Sequence, residues 1–400
     1  MRILVFAHEL EVGGTQVNAI DLAAALRDQR GHTVALTATP GPMVEYAATK
    51  GLEFLPLPAP GSHPSPSRMR ALRTQVKALR AEVVHAWDWL QGLDAYFGVH
   101  LPMGIPLVIT DMMMTLTRIL PKRIPTTFGT PELVEAASGR GWREAHLLLP
   151  AVDLEANAAG RADGQGLRVG LGVAPNQQLV VTVSRLDRWM KAESLRRTIA
   201  AARLLGQEIR LRLLIVGDGA ERKRLEALAH EANRELGREV VTFVGMMGDP
   251  RAAYEAADLV VGMGGSALRG MAFGKPVIVV GEKGFSEVFS AETAQGFYHR
   301  GMYGVGDSNP SCTRLAQQIA RLLGSPEDMK QLGELAREFV GRHFGLTVVA
   351  ERLDGILRHA AGRKRVWEEG LLDSLRTAAI WARERRWRAV RPELVRVRGE

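Results

Sequence analysis

The sequence predicts an α/β protein with two doubly wound parallel-sheet domains in tandem, facing a cleft. Its 400 residues exceed the usual size of one domain. Short apolar runs rich in β-branched residues alternate with segments whose apolar residues recur at helical spacing, and the alternation restarts past a Gly- and Ala-rich loop at 155–166. Strands and helices in such alternation form parallel sheets with right-handed crossovers. Ligands of these sheets bind beyond the carboxyl ends of the strands, so we expect the substrate between the two domains.

The first domain, predicted over residues 1–160, opens with a buried strand at 2–7. A glycine turn at Gly13 and Gly14 follows, and a helix with apolar residues at 17–26 comes after it. The remaining strands of this half are predicted at 33–37, 82–86 and 107–110, with a Pro- and Ser-rich loop at 56–67.

The second domain is predicted over residues 165–345. Its strands are predicted at 179–183, 211–216, 240–244, 258–261 and 276–280, with helices at 195–205, at 220–236 and from Ser266 onward. Residues 346–400 carry no strand pattern, and they are predicted to form a basic helical return segment and tail.

The formal net charge of +8 is unevenly distributed. Residues 361–400 contain 11 Lys and Arg against six Asp and Glu, and residues 68–80 contain five cations and no acid. Charge of this sign favours anionic partners, so either segment is a candidate for peripheral contact with a membrane; a packed helix with a solvated basic face has the same pattern. No nucleic-acid reader motif occurs, and we expect no nucleic-acid partner.

Cysteine usage and the apolar runs bear on localisation. Cys312 is the single cysteine, no secretory leader is recognisable, and no run approaches the roughly 20 apolar residues that a spanning helix needs. We expect a cytoplasmic protein, with peripheral contact at the inner face of a membrane as an open alternative.

Glycine turns before helices and cations after a strand are the candidate phosphate ligands. The turns are Gly13-Gly14 and Gly264-Gly265, each of which is also explained as a tight connection. Arg185 and Lys191 follow the strand ending at 183 and would offset the charge of a pyrophosphate, although a solvated surface pair has the same spacing.

Other chemistry is weakly supported. The ten histidines include no zinc-binding spacing, so no metal site is expected. His85 and Trp87, just after a predicted strand, could line a sugar-binding wall or belong to a packed loop.

Several ordered motifs resemble family-four glycosyltransferases of the GT-B fold, which pair two Rossmann-like domains. The resemblance covers residues 1–345 and rests on the segments RILVF at 2–6, VHA at 84–86, VSRLD at 183–187, LIVGDG at 214–219, VTFVG at 241–245 and SALRGMAFGKP at 266–276.

This resemblance implies a nucleotide-sugar donor held by the second domain and a glycan, lipid or small-molecule acceptor held by the first. It implies transfer of a hexose with retention of configuration, without a bound metal or other cofactor, and last helices that cross back to brace the first domain. Arg185 and Lys191 would neutralise the leaving diphosphate. The other donor contacts implied are Gly13, Gly14, Phe243, Gly245, Gly264, Gly265 and Ser266.

Three departures from the family accompany these matches. Val261 and Arg269 stand where the family usually has two glutamates, which hold hydroxyls of the sugar and the ribose. Met112 stands where the family has a cleft histidine on the acceptor side, and Asp111 beside it is no obvious substitute.

Three interpretations stay open at this point. In a divergent transferase, Arg269 meets a phosphate or ribose, Glu282 supplies the missing catalytic carboxylate, and Glu287 contacts the sugar or caps a helix. Alternatively, the chain is an inactive module that binds a nucleotide or glycan. Another GT-B activity, such as nucleotide-sugar epimerisation, is the third.

Overall fold

The structure is a computed structural model that describes residues 1–62, 64–188, 190–309, 311–363 and 367–390, without the side chains of 367–369 and 384–390. The chain divides into two units. The first unit comprises Met1–Ala151 and the helices from Leu346 onward, and the second comprises Val152–Gly345. The division falls nine residues before the predicted end of the first domain.

Seven parallel strands form the sheet of the first unit. They are β1 (Arg2–Phe6), β2 (Thr33–Ala38), β3 (Glu53–Pro56), β4 (Val83–Trp87), β5 (Leu107–Asp111), β6 (Thr126–Phe128) and β7 (Ala145–Leu147), in the spatial order β3-β2-β1-β4-β5-β6-β7. The order reverses between β1 and β4, and parallel sheets bind ligands at such a reversal.

Helices cover both faces of this sheet, which explains why its central strands β1, β4 and β5 are almost entirely buried. The helices of this part of the chain are α1 (Gly14–Asp28), α2 (Val44–Thr49), α3 (Pro66–Leu79), α4 (Trp89–Ala95), α5 (Leu101–Met103) and α6 (Pro131–Gly139), with a π-helical turn at Tyr96–His100 between α4 and α5.

Six strands form the sheet of the second unit. They are β8 (Gln178–Val183), β9 (Leu211–Val216), β10 (Val241–Gly245), β11 (Leu259–Gly262), β12 (Val277–Val280) and β13 (Ser286–Val288), in the order β10-β9-β8-β11-β12-β13. All pairs are parallel except β12 with β13 at the edge. The order reverses between β8 and β11.

The helices of the second unit again lie on both sides of the sheet. They are α7 (Gly164–Gly170), α8 (Ala192–Leu205), α9 (Arg222–Leu236), α10 (Arg251–Ala256), α11 (Gly265–Ala272), α12 (Ala291–Arg300), α13 (Thr313–Leu323) and α14 (Pro326–Phe344).

Two C-terminal helices return to the first unit: α15 (Leu346–Gly362) and α16 (Trp367–Val390). Helix α15 buries Val349, Leu353 and Leu357 in the same apolar core as α1. A buried carboxylate fixes its position, because Asp354 accepts hydrogen bonds from His32 at 2.7 Å, Arg30 at 3.1 Å and Arg358 at 2.8 Å. Burial alone would raise the pKa of Asp354, but these hydrogen bonds outweigh burial and lower it.

The predicted α/β class with two parallel-dominated sheets is confirmed. All nine predicted strands are present, while β3, β6, β7 and β13 are additional strands of three or four residues. Strands this short carry too few residues for an apolar pattern to distinguish them from loops. The helix predicted from Ser266 begins at Gly265. No helix among the described residues is long and apolar enough to span a membrane.

We predict that Asp354→Ala lowers the free energy of unfolding by about 3–5 kcal/mol, because it leaves the buried His32 and its arginine neighbours without their shared acceptor. Urea denaturation measures the change. The matched control is Glu351→Ala, which removes an exposed carboxylate 3.9 Å from Arg30 and should cost about 0.5 kcal/mol or less. Equal effects of the two substitutions would contradict the structural role assigned to Asp354.

Candidate active site

The reversal of strand order between β8 and β11 creates a small crevice at the carboxyl edge of the second sheet. Its lining includes the end of β8 at Thr182 and Val183, the start of the following loop at Ser184, the side chain of Lys191, and the end of β11 at Gly262. Next to the crevice, the loop after β9 packs closely on the loop after β8, because Gly217 takes φ +142° and lies against Ser184, whose carbonyl oxygen would be 1.8 Å from a Cβ there.

Lys191 is a half-buried cation in this crevice. No carboxylate of the described residues forms an ion pair with its ammonium group. Burial and, to a smaller extent, the charge of Arg185 lower its pKa to about 8, against the opposing effect of Asp187. The group is therefore mostly protonated at neutral pH, and an anion in the crevice would be stabilised by it.

Arg185 is the second predicted cation, and it lies on the surface. Its side chain is 70% exposed, and its Nε lies 3.5 Å from Asp187 Oδ2. Arg185 considered alone therefore agrees with the alternative of a solvated surface charge. Lys191 does not agree with that alternative, because it lines the crevice just before α8 begins.

Helix α11 begins beside the crevice with unsatisfied backbone donors. Gly264 precedes it at φ +56°, no side chain caps the helix, and its first turn holds no acid. The dipole of a helix with such an end favours an anion. The predicted contacts Gly264, Gly265 and Ser266 thus lie on one turn, where Ser266 Oγ also accepts a 3.2 Å hydrogen bond from Tyr254.

Arg269 lies on the same helix and turns back toward its N-terminus. One of its terminal nitrogens is 3.7 Å from the position of a Cβ at Gly265, and its guanidinium also interacts with the Tyr254 hydroxyl. Among the described residues no carboxylate pairs with it. Val261, the other departure from the family, is fully buried in the core of the sheet. A cation and an apolar residue thus occupy the two positions where the resemblance implies carboxylates.

A polar cavity of 330 Å³ lies in the second unit, between the loop that leads from β8 to α8 and the loops at 282–284 and 308–309. It is lined by Arg188, Met190, Glu193, Glu282, Lys283, Gly284, Ser308 and Asn309. Three of these, Met190, Lys283 and Ser308, have φ between +51° and +73°, a conformation that is strained for non-glycine residues. Strain of this kind is concentrated at functional sites, so the clustering marks the cavity as a candidate binding site.

Arg197 holds one side of this cavity together. Its guanidinium donates to Glu193 Oε1 at 2.5 Å and to the carbonyls of Gly281, Gly284 and Phe285. The other oxygen of Glu193 is buried and has no hydrogen-bond partner among the described residues. That oxygen is a free acceptor in a polar cavity, where an unpaired acceptor is costly.

Glu282, predicted as a catalytic carboxylate, lines the same cavity and accepts a hydrogen bond from the Tyr303 hydroxyl. Burial and the Glu282 carboxylate raise the pKa of Tyr303, so the phenol stays protonated and continues to donate. The structure therefore brings Glu282 together with Glu193, which the sequence reasoning did not select.

The remaining predicted donor contacts of the second unit lie elsewhere on it. Glu287, on the edge strand β13, forms an ion pair with Arg300 at 3.2 Å. Phe243 is half-buried in β10, and Gly245 ends that strand at φ +73°. The placement of a nucleobase near these two residues stays a prediction.

In the first unit, Gly13 and Gly14 form the N-terminus of α1, again without a side-chain cap or an acid in the first turn. Gln16 ties this turn to the end of β1, since its amide donates to the Glu9 carbonyl at 3.0 Å and lies 3.5 Å from the His8 ring.

The buried positions of His85 and Trp87 do not fit the sugar-binding wall that was predicted for the acceptor side. Only 1% of His85 and none of Trp87 is exposed. The His85 ring hydrogen-bonds to Thr110 at 2.7 Å, and burial lowers its pKa to about 3, so it is a neutral histidine of the sheet core. Met112 is half-buried and packs against the core of the first unit, and its acceptor role stays a prediction.

Two family models match the chain. The model described as "Glycosyl transferases group 1" matches residues 167–339, and "Glycosyltransferase Family 4" matches residues 12–111. These segments together span more than half of the chain. The chain is a GT-B glycosyltransferase. The group 1 match includes the two predicted cations, Arg185 and Lys191. It also includes Arg269 and Glu282.

Solved structures of other proteins share the fold of this glycosyltransferase. A glycosyltransferase from Rickettsia africae is 16% identical, with a TM-score of 0.71, over 91% of this chain and 99% of its own. Anabaena Alr3699/HepE, in complex with UDP-glucose, is 19% identical, with a TM-score of 0.70, over 90% and 100%. Sucrose-phosphate synthase from Thermosynechococcus elongatus is 20% identical, with a TM-score of 0.66, over 90% and 98%. A comparison with curated protein sequences finds no match.

The glycosyltransferase holds a pair of carboxyl groups that the sequence reasoning missed. Asp88 directly follows β4, and Asp111 ends the neighbouring strand β5. Burial, with a smaller contribution from the Asp88 charge, raises the pKa of Asp111 to about 6, against the hydrogen bonds from Thr117 and the Met113 amide. Burial also raises the pKa of Asp88, against the hydrogen bond from the Trp89 amide and the charge of His8.

The backbone at Asp88 is strained as well, with φ +76° and ψ 158°, a region that is essentially restricted to glycine. A sequence signal was available, because both aspartates stand at the carboxyl ends of adjacent predicted strands. The described residues hold no group of three or more His, Cys, Asp or Glu side chains placed to bind a metal ion. That transfer proceeds without a metal stays a prediction.

We predict that Asp111→Asn stabilises the enzyme at pH 7.5. A folded-state pKa of about 6, above the unfolded value near 3.8, means that ionisation of Asp111 costs stability as the pH rises from about 4 through about 6. The amide avoids that cost, so the variant should gain up to about 3 kcal/mol at pH 7.5 and nothing near pH 4. Urea denaturation at both pH values measures the gain.

Glu53→Gln, at an exposed position on β3, serves as the control and should show no such dependence on pH. A gain for Asp111→Asn that is the same at both pH values would contradict the burial argument.

Proposed function

We propose that this glycosyltransferase moves a hexose from a nucleoside-diphosphate sugar to a hydroxyl acceptor, with retention of anomeric configuration. One observation carries the proposal: Lys191 holds a positive charge, without a described carboxylate partner, in the crevice where the strand order of the second sheet reverses. A diphosphate would supply the missing negative charge. Retention rests on the family-four resemblance, and the configuration of the product tests it.

The chemistry needs a group that stabilises the leaving diphosphate. The bond between the anomeric carbon and the diphosphate oxygen breaks, the acceptor oxygen bonds to that carbon, and the hydroxyl proton is released. Negative charge accumulates on the diphosphate during bond cleavage, and preorganised cations and backbone donors lower the barrier. Lys191 and the exposed Arg185 would supply the cations, and the uncapped start of α11 would supply the N–H groups.

The polar cavity is our candidate for the hexose. Its volume lies within the range of small-molecule pockets. The unpaired oxygen of Glu193 and the carboxylate of Glu282 would accept hydrogen bonds from sugar hydroxyls, a role that the buried Val261 cannot take. Arg269, beside the uncapped helix end, would contact a phosphate rather than the ribose hydroxyls that a carboxylate holds.

The identities of the donor and of the acceptor are proposed on weaker support than the role of Lys191. Because the Anabaena structure holds UDP-glucose, uridine diphosphate glucose is the first donor to test. The acceptor is proposed as a glycan, a lipid or a small molecule, in carbohydrate or glycolipid biosynthesis, with the half-buried Asp88 carboxyl group as a candidate contact for its hydroxyl. Peripheral contact with a membrane belongs to the same proposal.

We predict that Lys191→Ala lowers turnover by about 10²–10³-fold, the usual cost of removing one group that stabilises a developing anion. Hydrolysis or transfer is measured with a panel of nucleotide sugars, and UDP binding is measured by calorimetry. The control Lys223→Ala removes an exposed lysine of α9 and should leave turnover unchanged. Unchanged turnover in Lys191→Ala would overturn the role of Lys191.

The same panel tests the alternative of an inactive binding module. Turnover of one donor that is lost in Lys191→Ala supports transfer chemistry. Tight nucleotide binding by the unmodified protein, with no turnover of any donor, would favour the binding module instead.

We also predict that kcat/KM falls above about pH 8, because this ratio follows the ionisation of the free enzyme and Lys191 loses its proton there. Lys191→Arg keeps the charge at higher pH and should remove the fall, even where its activity is lower throughout. A fall with the same midpoint in Lys191→Arg would assign the titration to another group.

A further inference from the structure

Helix α16 carries an exposed apolar face. Leu371, Leu372 and Leu375 are 62%, 65% and 59% exposed, and Ala378, Ala379 and Ala382 continue the same side of the helix toward its C-terminus. We call these six residues the leucine face. Large apolar groups this exposed and this close together mark an interaction surface.

The opposite side of α16 is firmly docked on the first unit, so the leucine face is not a helix end that has failed to pack. Asp373 accepts a hydrogen bond from the Arg123 amide at 2.9 Å, and Arg376 donates to the Arg118 and Leu120 carbonyls. Thr377, on the same side, is fully buried. These contacts fix the rotation of the helix about its axis, and they direct the leucine face away from the unit.

The structure also brings the two basic segments of the sequence together. Arg73 of α3 donates to the Gly98 carbonyl of the π-helical turn at 2.6 Å, and Tyr96 of that turn hydrogen-bonds to Ser374 of α16 at 2.9 Å. The basic helix α3 and the basic C-terminal helix therefore lie on either side of one turn, although about 300 residues separate them in the chain.

Exposed cations accompany the leucine face on both helices. Arg70 and Lys77 on α3, and Arg383 on α16, are exposed, and none of them forms an ion pair with a described residue. The chain from 361 to 400 has a net charge of +5. An apolar strip flanked by cations is the combination with which amphipathic helices bind anionic lipid surfaces.

We propose that the leucine face and the flanking cations of α3 and α16 form the surface by which this protein binds an anionic phospholipid bilayer. A second copy of the chain fits less well, because a twofold contact through this face would bring like charges together. The inference gives the proposed membrane contact a defined surface, and it does not depend on the sugar-transfer chemistry.

The test is vesicle flotation with phosphatidylcholine vesicles, with and without phosphatidylglycerol. The unmodified protein should float only with the anionic vesicles, and less so at high salt. The triple variant L371Q/L372Q/L375Q should bind them roughly 100-fold more weakly, because it removes most of the apolar contact. Glutamine keeps the helix propensity, so the melting temperature should not change.

Two further variants separate the contributions. The control V169Q/L204Q removes exposed apolar side chains of the second unit and should leave vesicle binding intact. The variant R70Q/K77Q should weaken binding to anionic vesicles by roughly ten-fold and reduce its dependence on salt. Truncation after residue 360 is a poorer test, because it would also expose the buried side of the first unit that α16 covers.

Two results would overturn the inference. The first is full binding of the triple variant to anionic vesicles. The second is a dimer of the unmodified protein in sedimentation analysis that the triple variant loses, together with an absence of vesicle binding, which would identify the face as a contact between copies. Donor hydrolysis in the absence of vesicles is measured in parallel, so an inactive protein that still binds vesicles would refute the transfer proposal alone.

Discussion

A half-buried cation that forms no ion pair with any described carboxylate is the constraint around which the second unit is organised. Burial destabilises the charged form of Lys191, and the fold nevertheless holds it at the edge of the sheet where the strand order reverses between β8 and β11. Helix α11 begins beside the crevice without a side-chain cap. A buried cation and uncapped backbone donors both cost stability, and a bound anion would offset that cost.

The departures from the family pattern also increase the positive charge near the crevice. Where the resemblance implies carboxylates, the chain has the buried Val261 and the cation Arg269, so the region around α11 is more positive than the family pattern would make it. Acceptors for hydroxyl groups lie instead in the polar cavity, where Glu193 and Glu282 come from segments far apart in sequence. Arg197 connects these segments, because its guanidinium bonds to Glu193 and to backbone carbonyls of the loop that carries Glu282.

Burial decides the role of the polar residues at the strand ends of the first unit, and the sequence did not reveal which of them are buried. His85, Trp87 and Asp111 all lie at or near the ends of strands, and position alone does not distinguish a side chain that packs inward from one that faces a ligand. His85 points into the core toward Thr110, whereas Asp88 and Asp111 retain raised pKa values at the carboxyl edge. Side-chain direction alternates along a strand, so an error of one residue exchanges the two roles.

The sequence by itself determined the α/β class, nine of the strands, and the positions of the glycine turns and of Arg185 and Lys191 after β8. Apolar periodicity and glycine placement are local properties of the chain. Only the tertiary structure decided that Lys191 is half-buried while Arg185 is exposed, that Glu193 and Glu282 line one cavity, and that α3 and α16 both contact the π-helical turn. These outcomes depend on contacts between residues that are distant in the chain. Burial, pKa values and shared surfaces are set by such contacts, and no local pattern encodes them.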